Sequence, residues 1–211
     1  MDGFIERAKT YCLELLEPCK DYPFHNIHHT MDVWVRAHEI GMAEWLTGEE
    51  LENLEIAALF HDTGFSGQYS NNEFIGAKIA SEWLRKEWFP ESRIEIILHT
   101  IMATVLFSPV QTISEKIIQD ADLDNLGRVD SFDRSLALLT EMRTVGKKDI
   151  SDEAFWIFTH GLISNFHFHT PYEQKLRNEQ QEKNRAIVEK YILQNGWKLP
   201  EKVIHEIAHI K

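Results

Sequence analysis

Hydrophobic positions recur along most of this chain at the spacing of one face of an α-helix. Near the N-terminus, positions 4, 5, 8, 11, 12, 15 and 16 are apolar and follow the i, i+3/i+4, i+7 pattern. The same pattern predicts a helix from Leu51 to Phe60, and the Thr47–Glu50 segment before it has the form of a capping box. Further helices are predicted over residues 72–88, 92–104, 114–121, 131–145, 151–164 and 172–194, with a short one after Pro200. No segment alternates strictly enough to predict a β-strand, so the pattern indicates an all-α fold.

Length and composition predict a single compact helical bundle. A chain of 211 residues can bury a substantial core, and it shows no internal repeat, low-complexity tract or linker. Its 43% hydrophobic and 27% charged residues exclude both a disordered chain and a bundle of membrane helices. We therefore expect one domain over residues 1–211.

The charge balance limits the kind of partner. With 22 Lys and Arg against 34 Asp and Glu, the net charge is −12, which argues against duplex DNA and anionic membranes. The two cysteines, Cys12 and Cys19, form no disulfide framework, and the first twenty residues contain no apolar signal-peptide core. These features predict a cytoplasmic protein.

Histidine and aspartate residues suggest a metal site. They stand out in His25-Asn26-Ile27-His28-His29, in His61-Asp62, in Asp120-Ala121-Asp122, and at His99 between the last two. Imidazole and carboxylate together suit divalent Mn, Fe, Co, Ni or Zn. One histidine, an adjacent His-Asp pair and a distant aspartate would supply four ligands and leave positions open for water and substrate, which is typical of a catalytic metal.

Three segments resemble, in order and spacing, the signatures of the HD superfamily of metal-dependent phosphohydrolases. They are Phe24-His25-Asn26 through His29 and Val33, then Leu59-Phe60-His61-Asp62-Thr63-Gly64, then Asp120-Ala121-Asp122-Leu123-Asp124-Asn125-Leu126-Gly127-Arg128. The resemblance covers about residues 20–190 and implies a helical bundle of the HD/phosphodiesterase type. It implies that the metal ligands are His29, His61, Asp62 and Asp122. It also implies that His25 donates a proton to the leaving oxygen, as in the cyclic-nucleotide phosphodiesterase branch.

The number of metal ions follows from departures from that family pattern. Asn72 stands where two-metal relatives often have His, and Phe65 stands where some regulatory members have Lys. We therefore expect about one divalent ion per chain, with Mn, Fe, Co, Ni, Zn and Mg all open as its identity. His99 and Glu73 are candidates to bind substrate or to help hold a second ion. A core histidine with satisfied hydrogen bonds is an equally weighted alternative for His99.

Basic residues that could meet a substrate phosphate are few. Arg128 directly follows the third signature and is the preferred candidate, and Arg177 is a second one on a later helix. The alternative is that both are solvated residues on helix faces.

A second metal-binding pattern occurs at the C-terminus. His205-Glu206-Ile207-Ala208-His209 fits the HExxH pattern of zinc peptidases, but only Ile210 and Lys211 follow it. Since no third ligand can follow, an amphipathic terminal helix is the favoured interpretation.

These residues predict an enzyme that hydrolyses a phosphate ester of a nucleotide or a related small phosphorylated metabolite. In this hypothesis a metal-activated water attacks the phosphorus, Asp62 orients the water through its second oxygen, and His25 acts as general acid. Phosphomonoester, cyclic diester and triphosphate substrates all stay open. The alternative is a catalytically weak HD domain that serves as a nucleotide-binding or regulatory module, and the complete ligand set argues against it. A homodimer is a further expectation.

Overall fold

In a computed structural model of the protein, which describes residues 2–199, every regular element is helical. The α-helices are α1 (Asp2–Leu16), α2 (Ile27–Ala43), α3 (Glu49–Phe60), α4 (Asn72–Lys86), α5 (Glu91–Met102), α6 (Ile113–Asp122), α7 (Ser131–Thr144), α8 (Asp152–Asn165) and α9 (Pro171–Gln194). Short 3₁₀ turns follow at Glu17–Cys19, Thr63–Ser66 and Asp124–Gly127. No strand occurs within this part of the chain, so the prediction of an all-α fold is confirmed. None of these helices combines the length and the apolar character needed to cross a membrane.

The predicted helix ends agree with the structure to within two residues for α4 to α9. The capping box before α3 is wrong. Gly48, rather than Thr47, is the N-cap residue, and because glycine has no side chain it cannot form a side-chain hydrogen bond to the helix. Its φ of 54° is a conformation that glycine adopts at low cost, and this fixes the start of α3 one residue later than the box requires. The helix predicted after Pro200 and the HExxH pattern lie outside the described residues.

Backbone contacts divide the chain after Asp122 into two units. The first unit is organised around α3, which packs against α1, α2, α4, α5 and α6. Ile56, Leu59 and Phe60 enter an apolar cluster with α1, α4 and α5, whereas Leu54 and Ala58 enter another with α2 and α6. Residues 56–60 of α3 are apolar on all sides and fully buried, which places the C-terminal half of α3 at the centre of this unit.

The second unit contains α7, α8 and α9, with α9 packed against both of the others. Its core is built on Phe155 and Trp156 of α8 and on Val188 and Ile192 of α9, all essentially buried. The prediction of a single domain over residues 1–211 stays a prediction.

Two glycines bring the start of α4 against the turn that follows α3. A Cβ atom built on Gly64 would lie 1.9 Å from the backbone oxygen of Asn72. One built on Gly76, a turn further along α4, would lie 2.9 Å from the backbone oxygen of Phe60 and 3.1 Å from that of His61. The backbones of the two segments are thus in direct contact, and no side chain can be inserted between them.

We expect Gly64→Ala to destabilise the protein, because the new methyl group meets backbone atoms that have no rotamer to change. Overpacking of this kind costs about 1–3 kcal/mol. Gly67→Ala is the matched control, since a Cβ atom there meets nothing closer than 3.6 Å. Urea unfolding of both variants measures the difference. Equal free energies of unfolding would show that α4 can move away from the turn without cost.

Candidate metal centre

The start of α2 places one histidine inside the first unit and its neighbour outside. Asn26 is the N-cap residue, and its side-chain oxygen accepts hydrogen bonds from the backbone N–H groups of His28 (2.9 Å) and His29 (3.3 Å). Its side-chain amide also donates to the backbone oxygen of Tyr22 at 2.8 Å. The cap fixes the rotation of the first turn, so that His29 is buried and His28 is exposed. The structure thus places the predicted ligand His29 in the interior of the unit and leaves His28 on its surface.

The end of α3 places His61 and Asp62 at the edge of the apolar core. His61 is the C-cap residue and is fully buried. Its Nδ1 lies 2.7 Å from the backbone oxygen of Ala58, which can only accept, so Nδ1 carries a proton and donates it. The other ring nitrogen, Nε2, is therefore the atom that is available to a metal.

The end of α6 brings the fourth predicted ligand, Asp122, to the two histidines and Asp62. His29 Nε2 lies 3.3 Å from Asp62 Oδ2 and 3.2 Å from Asp122 Oδ1. His61 Nε2 lies 3.2 Å from Asp62 Oδ2 and 3.6 Å from Asp122 Oδ1. Ligand atoms of His29, His61 and Asp122 all lie within 4.8 Å of one another. The structure thus brings two imidazole nitrogens and two carboxylate oxygens together.

The charges of these groups stabilise each other. Burial lowers the pKa of His29 and His61, but the two carboxylates outweigh it, so the pKa of His29 is raised and that of His61 is raised well above its usual value. Burial likewise raises the pKa of Asp62 and Asp122, but the histidines outweigh it and hold both far below their usual range. The imidazoles and the carboxylates thus favour each other's charged forms, and a divalent cation could take the place of protons on the two Nε2 atoms.

Two buried polar atoms support this interpretation. His61 Nε2 and Asp62 Oδ2 are inaccessible to solvent and make no hydrogen bond of normal geometry with any described residue, although they lie 3.2 Å apart. Buried polar atoms are rarely left in this state unless an ion or a water satisfies them. Nitrogen and carboxylate oxygen donors fit a divalent cation of the Mn-to-Zn series.

His25 lies beside the centre, but not on a helix. Because Asn26 caps α2, His25 belongs to the bend before the helix. The two rings are nevertheless neighbours, with centroids 5.6 Å apart. Phe65 stacks on the His25 ring at 4.3 Å and 23°, and Phe24 contacts it edge-on at 4.8 Å.

Two candidates from the first unit differ in burial. His99 is exposed on α5, so the interpretation as a core histidine is wrong. Glu73 is buried in the first turn of α4, directly after Asn72. Among the described residues, the ligand atoms that all lie within 4.8 Å of one another belong to His29, His61 and Asp122, so His99 and Glu73 lie outside this group, as does Asp62.

Both basic candidates lie in the second unit and are engaged by carboxylates there. Arg128 donates from Nε to Asp130 Oδ1 at 2.9 Å and from Nη2 to Asp130 Oδ2 at 3.2 Å. Arg177 donates from Nε to Asp124 Oδ1 at 2.6 Å. Burial raises the pKa of Asp130, but hydrogen bonds from Arg128 and Arg134 outweigh it and lower the pKa to about 2. These contacts are ion pairs within the unit, and the assignment of either arginine to substrate stays a prediction.

One contact was not predicted from the sequence. The side-chain amide of Asn72 donates from Nδ2 to Asp62 Oδ1 at 3.3 Å, and both residues are buried. The sequence-based hypothesis assumed that the second oxygen of Asp62 is free, but Asn72 already donates a hydrogen bond to it. It already accepts one hydrogen bond and retains a lone pair for one more.

Comparisons with known proteins confirm the resemblance to the HD family. Residues 26–124, just under half of the chain, match the model of the HD domain. A predicted HD superfamily hydrolase from an uncultured Thermotogales bacterium has the same fold, with 21% identity over 90% of this chain and 92% of the other and a TM-score of 0.60. Bacillus subtilis YpgQ, in a structure of its complex with ADP, is 19% identical over 90% of this chain and 94% of the other, with a TM-score of 0.63. The Lin1889 protein of Listeria innocua is 23% identical over 90% of this chain and 93% of the other, with a TM-score of 0.60. A comparison with curated protein sequences gives no significant match.

We expect Mn²⁺ to bind with a stoichiometry of about one ion per chain and to raise the melting temperature. An ion that binds only the folded state at 100 times its Kd stabilises that state by about 2.7 kcal/mol. Titration calorimetry and thermal melting measure both effects. His29→Ala should abolish them, and His28→Ala, which removes an exposed ring, should not. Unaltered Mn²⁺ binding by the His29 variant would contradict the assignment of ligands.

Proposed function

We propose that this protein is a metal-dependent phosphohydrolase that acts on a nucleotide or a related small phosphorylated metabolite. One observation carries the proposal. Within the segment that matches the HD domain, the Nε2 atoms of His29 and His61 each lie 3.2–3.6 Å from a carboxylate oxygen of Asp62 and of Asp122, and two of these atoms are buried without a hydrogen bond. Such a set binds a divalent cation and does not close off every coordination position.

His29, His61, Asp62 and Asp122 would hold the cation. When bound, a divalent cation supplies a Lewis acid that lowers the pKa of a water molecule and withdraws charge from a phosphoryl oxygen. Asp62 orients the attacking water by accepting a hydrogen bond from it. Its carboxylate suits this role because Asn72 and the two histidines already hold it in one orientation.

His25 is the residue that we assign to protonation of the leaving oxygen. Imidazole is the side chain that most often transfers a proton to or from a reacting group in enzymes. Its ring lies 5.6 Å from that of His29, so it is next to the centre without being part of the ligand set. The stacked ring of Phe65 restricts the directions in which the imidazole can point.

A small substrate agrees with the charges of the protein. With a net charge of −12, the chain does not attract a long polyanion, whereas the charge of a small phosphate can be met at the centre itself. The ADP in the YpgQ complex, a protein with the same fold, supports a nucleotide as the class of substrate. Monoester, cyclic diester and triphosphate bonds are all compatible with one activated water.

The test of the proposed function is phosphate release from a panel of nucleoside mono-, cyclic mono- and triphosphates with Mn²⁺, and the decisive variant is Asp62→Asn. We expect a loss of at least about a hundredfold, because the amide can neither balance the cation nor orient the water in the same way. Asp133→Asn, an exposed aspartate on α7, is the control and should retain activity. Near-normal hydrolysis by metal-free Asp62→Asn protein would exclude this mechanism.

His25→Ala should lower turnover and leave Mn²⁺ binding unchanged. Loss of a general acid costs about 10²- to 10⁴-fold, and the loss should shrink for an ester whose leaving group has a low pKa, because such a group departs without a proton. Turnover of a nucleotide and of a nitrophenyl phosphate, together with Mn²⁺ calorimetry, measures this. Loss of the metal from His25→Ala would show that the roles of His25 and His29 were assigned wrongly.

A further inference from the structure

We infer that Asn72 is a positioning residue, which holds the Asp62 carboxylate so that a single oxygen, Oδ2, is presented to the cation. This inference rests on the proposed function for the presence of the cation. It concerns a residue that is no ligand and that acts through Asp62.

The two oxygens of Asp62 have different partners. Oδ1 accepts a hydrogen bond from Asn72 Nδ2 at 3.3 Å, whereas Oδ2 lies 3.3 Å from His29 Nε2 and 3.2 Å from His61 Nε2. Oδ2 is also the oxygen that is buried without a hydrogen bond. Because an amide N–H group repels a cation, the cation must approach Asp62 from the side of Oδ2.

Asn72 is well suited to this role because its backbone lies in direct contact with the turn that follows Asp62. It is the first residue of α4, and its backbone oxygen would lie 1.9 Å from a Cβ atom on Gly64, two residues after Asp62. Gly76 brings the next turn of α4 against the backbone oxygens of Phe60 and His61. The donor and the carboxylate therefore belong to two backbone segments in direct contact, and the side chain of Asn72, 5% exposed, has little room to turn.

Two consequences follow for the metal. A carboxylate that is already oriented loses less conformational freedom on binding, so the cation binds more tightly. With Oδ1 engaged by an N–H donor, Asp62 would offer Oδ2 alone to a cation, which agrees with the expected stoichiometry of about one ion per chain.

The decisive variant is Asn72→Leu, which keeps the branched shape of the side chain and removes the donor. We expect the Kd for Mn²⁺, measured by titration calorimetry, to rise by about 10- to 100-fold, which is typical of the loss of an outer hydrogen bond to a ligand. Asn53→Leu is the matched control. Asn53 is also 5% exposed, and it accepts a hydrogen bond from Arg93. This control should lower the melting temperature and leave the Kd unchanged. A Kd within about twofold of wild type in a cooperatively melting Asn72→Leu protein would overturn the inference.

A measurement on the wild-type protein covers the case in which Asn72→Leu does not fold. In the metal-free protein, the side-chain Nδ2 hydrogens of Asn72 should exchange with solvent far more slowly than those of the exposed Asn71, as seen by NMR. Equally fast exchange would overturn the inference. Failure of the proposed function is distinguishable, because it shows as absent phosphate release from a wild-type protein whose Mn²⁺ binding still depends on Asn72.

Discussion

The structure of the first unit depends on balancing four ionisable groups at the edge of an apolar core. A single buried charge would cost several kcal/mol, and its pKa would shift until it became neutral. Here each imidazole lies beside both carboxylates, and the directions of the pKa shifts show that the attraction exceeds the cost of burial. Both aspartates are therefore charged at neutral pH. A site that already holds two carboxylates in place needs only to exchange protons for a cation.

Helix ends explain how the groups reach this position. A side chain in the middle of a buried helix faces other apolar side chains, whereas one at a terminus can project past the core. His61 caps α3, Asp122 ends α6, and His29 lies in the first turn of α2. The unpaired backbone groups of these termini are used as well, since the carbonyl of Ala58 fixes the tautomer of His61. The turn that follows α3 contains Gly64, and because this residue has no side chain the backbone of α4 can contact the turn directly.

The sequence predicts much of this arrangement because periodicity and motif are both local. The apolar run of α3 and the adjacent His-Asp pair are enough to predict a buried helix that ends in ligands. The capping box failed because the conformation of Gly48 competes with a side-chain cap, and local spacing does not show which one prevails. The bond from Asn72 to Asp62 could not be predicted, since it depends on how closely two segments pack. The sequence signal for this close packing was the pair of glycines that flank Asn72, Gly64 and Gly76.

The distribution of positive charge bears on how such a protein would accept an anionic substrate. Arg128 and Arg177 were the basic residues that the sequence offered for a phosphate, and each has a carboxylate within hydrogen-bond distance. An arginine in such a pair contributes little net field, because its partner cancels most of its charge at a distance. In a chain with a net charge of −12, attraction of a phosphate then depends on the metal centre. Two ligand carboxylates would neutralise the charge of a divalent cation, so the cation would attract a phosphate mainly by coordinating a phosphoryl oxygen at short range. On the proposed function, a small phosphate would thus be held by direct coordination at the centre, since both candidate arginines are already paired with carboxylates.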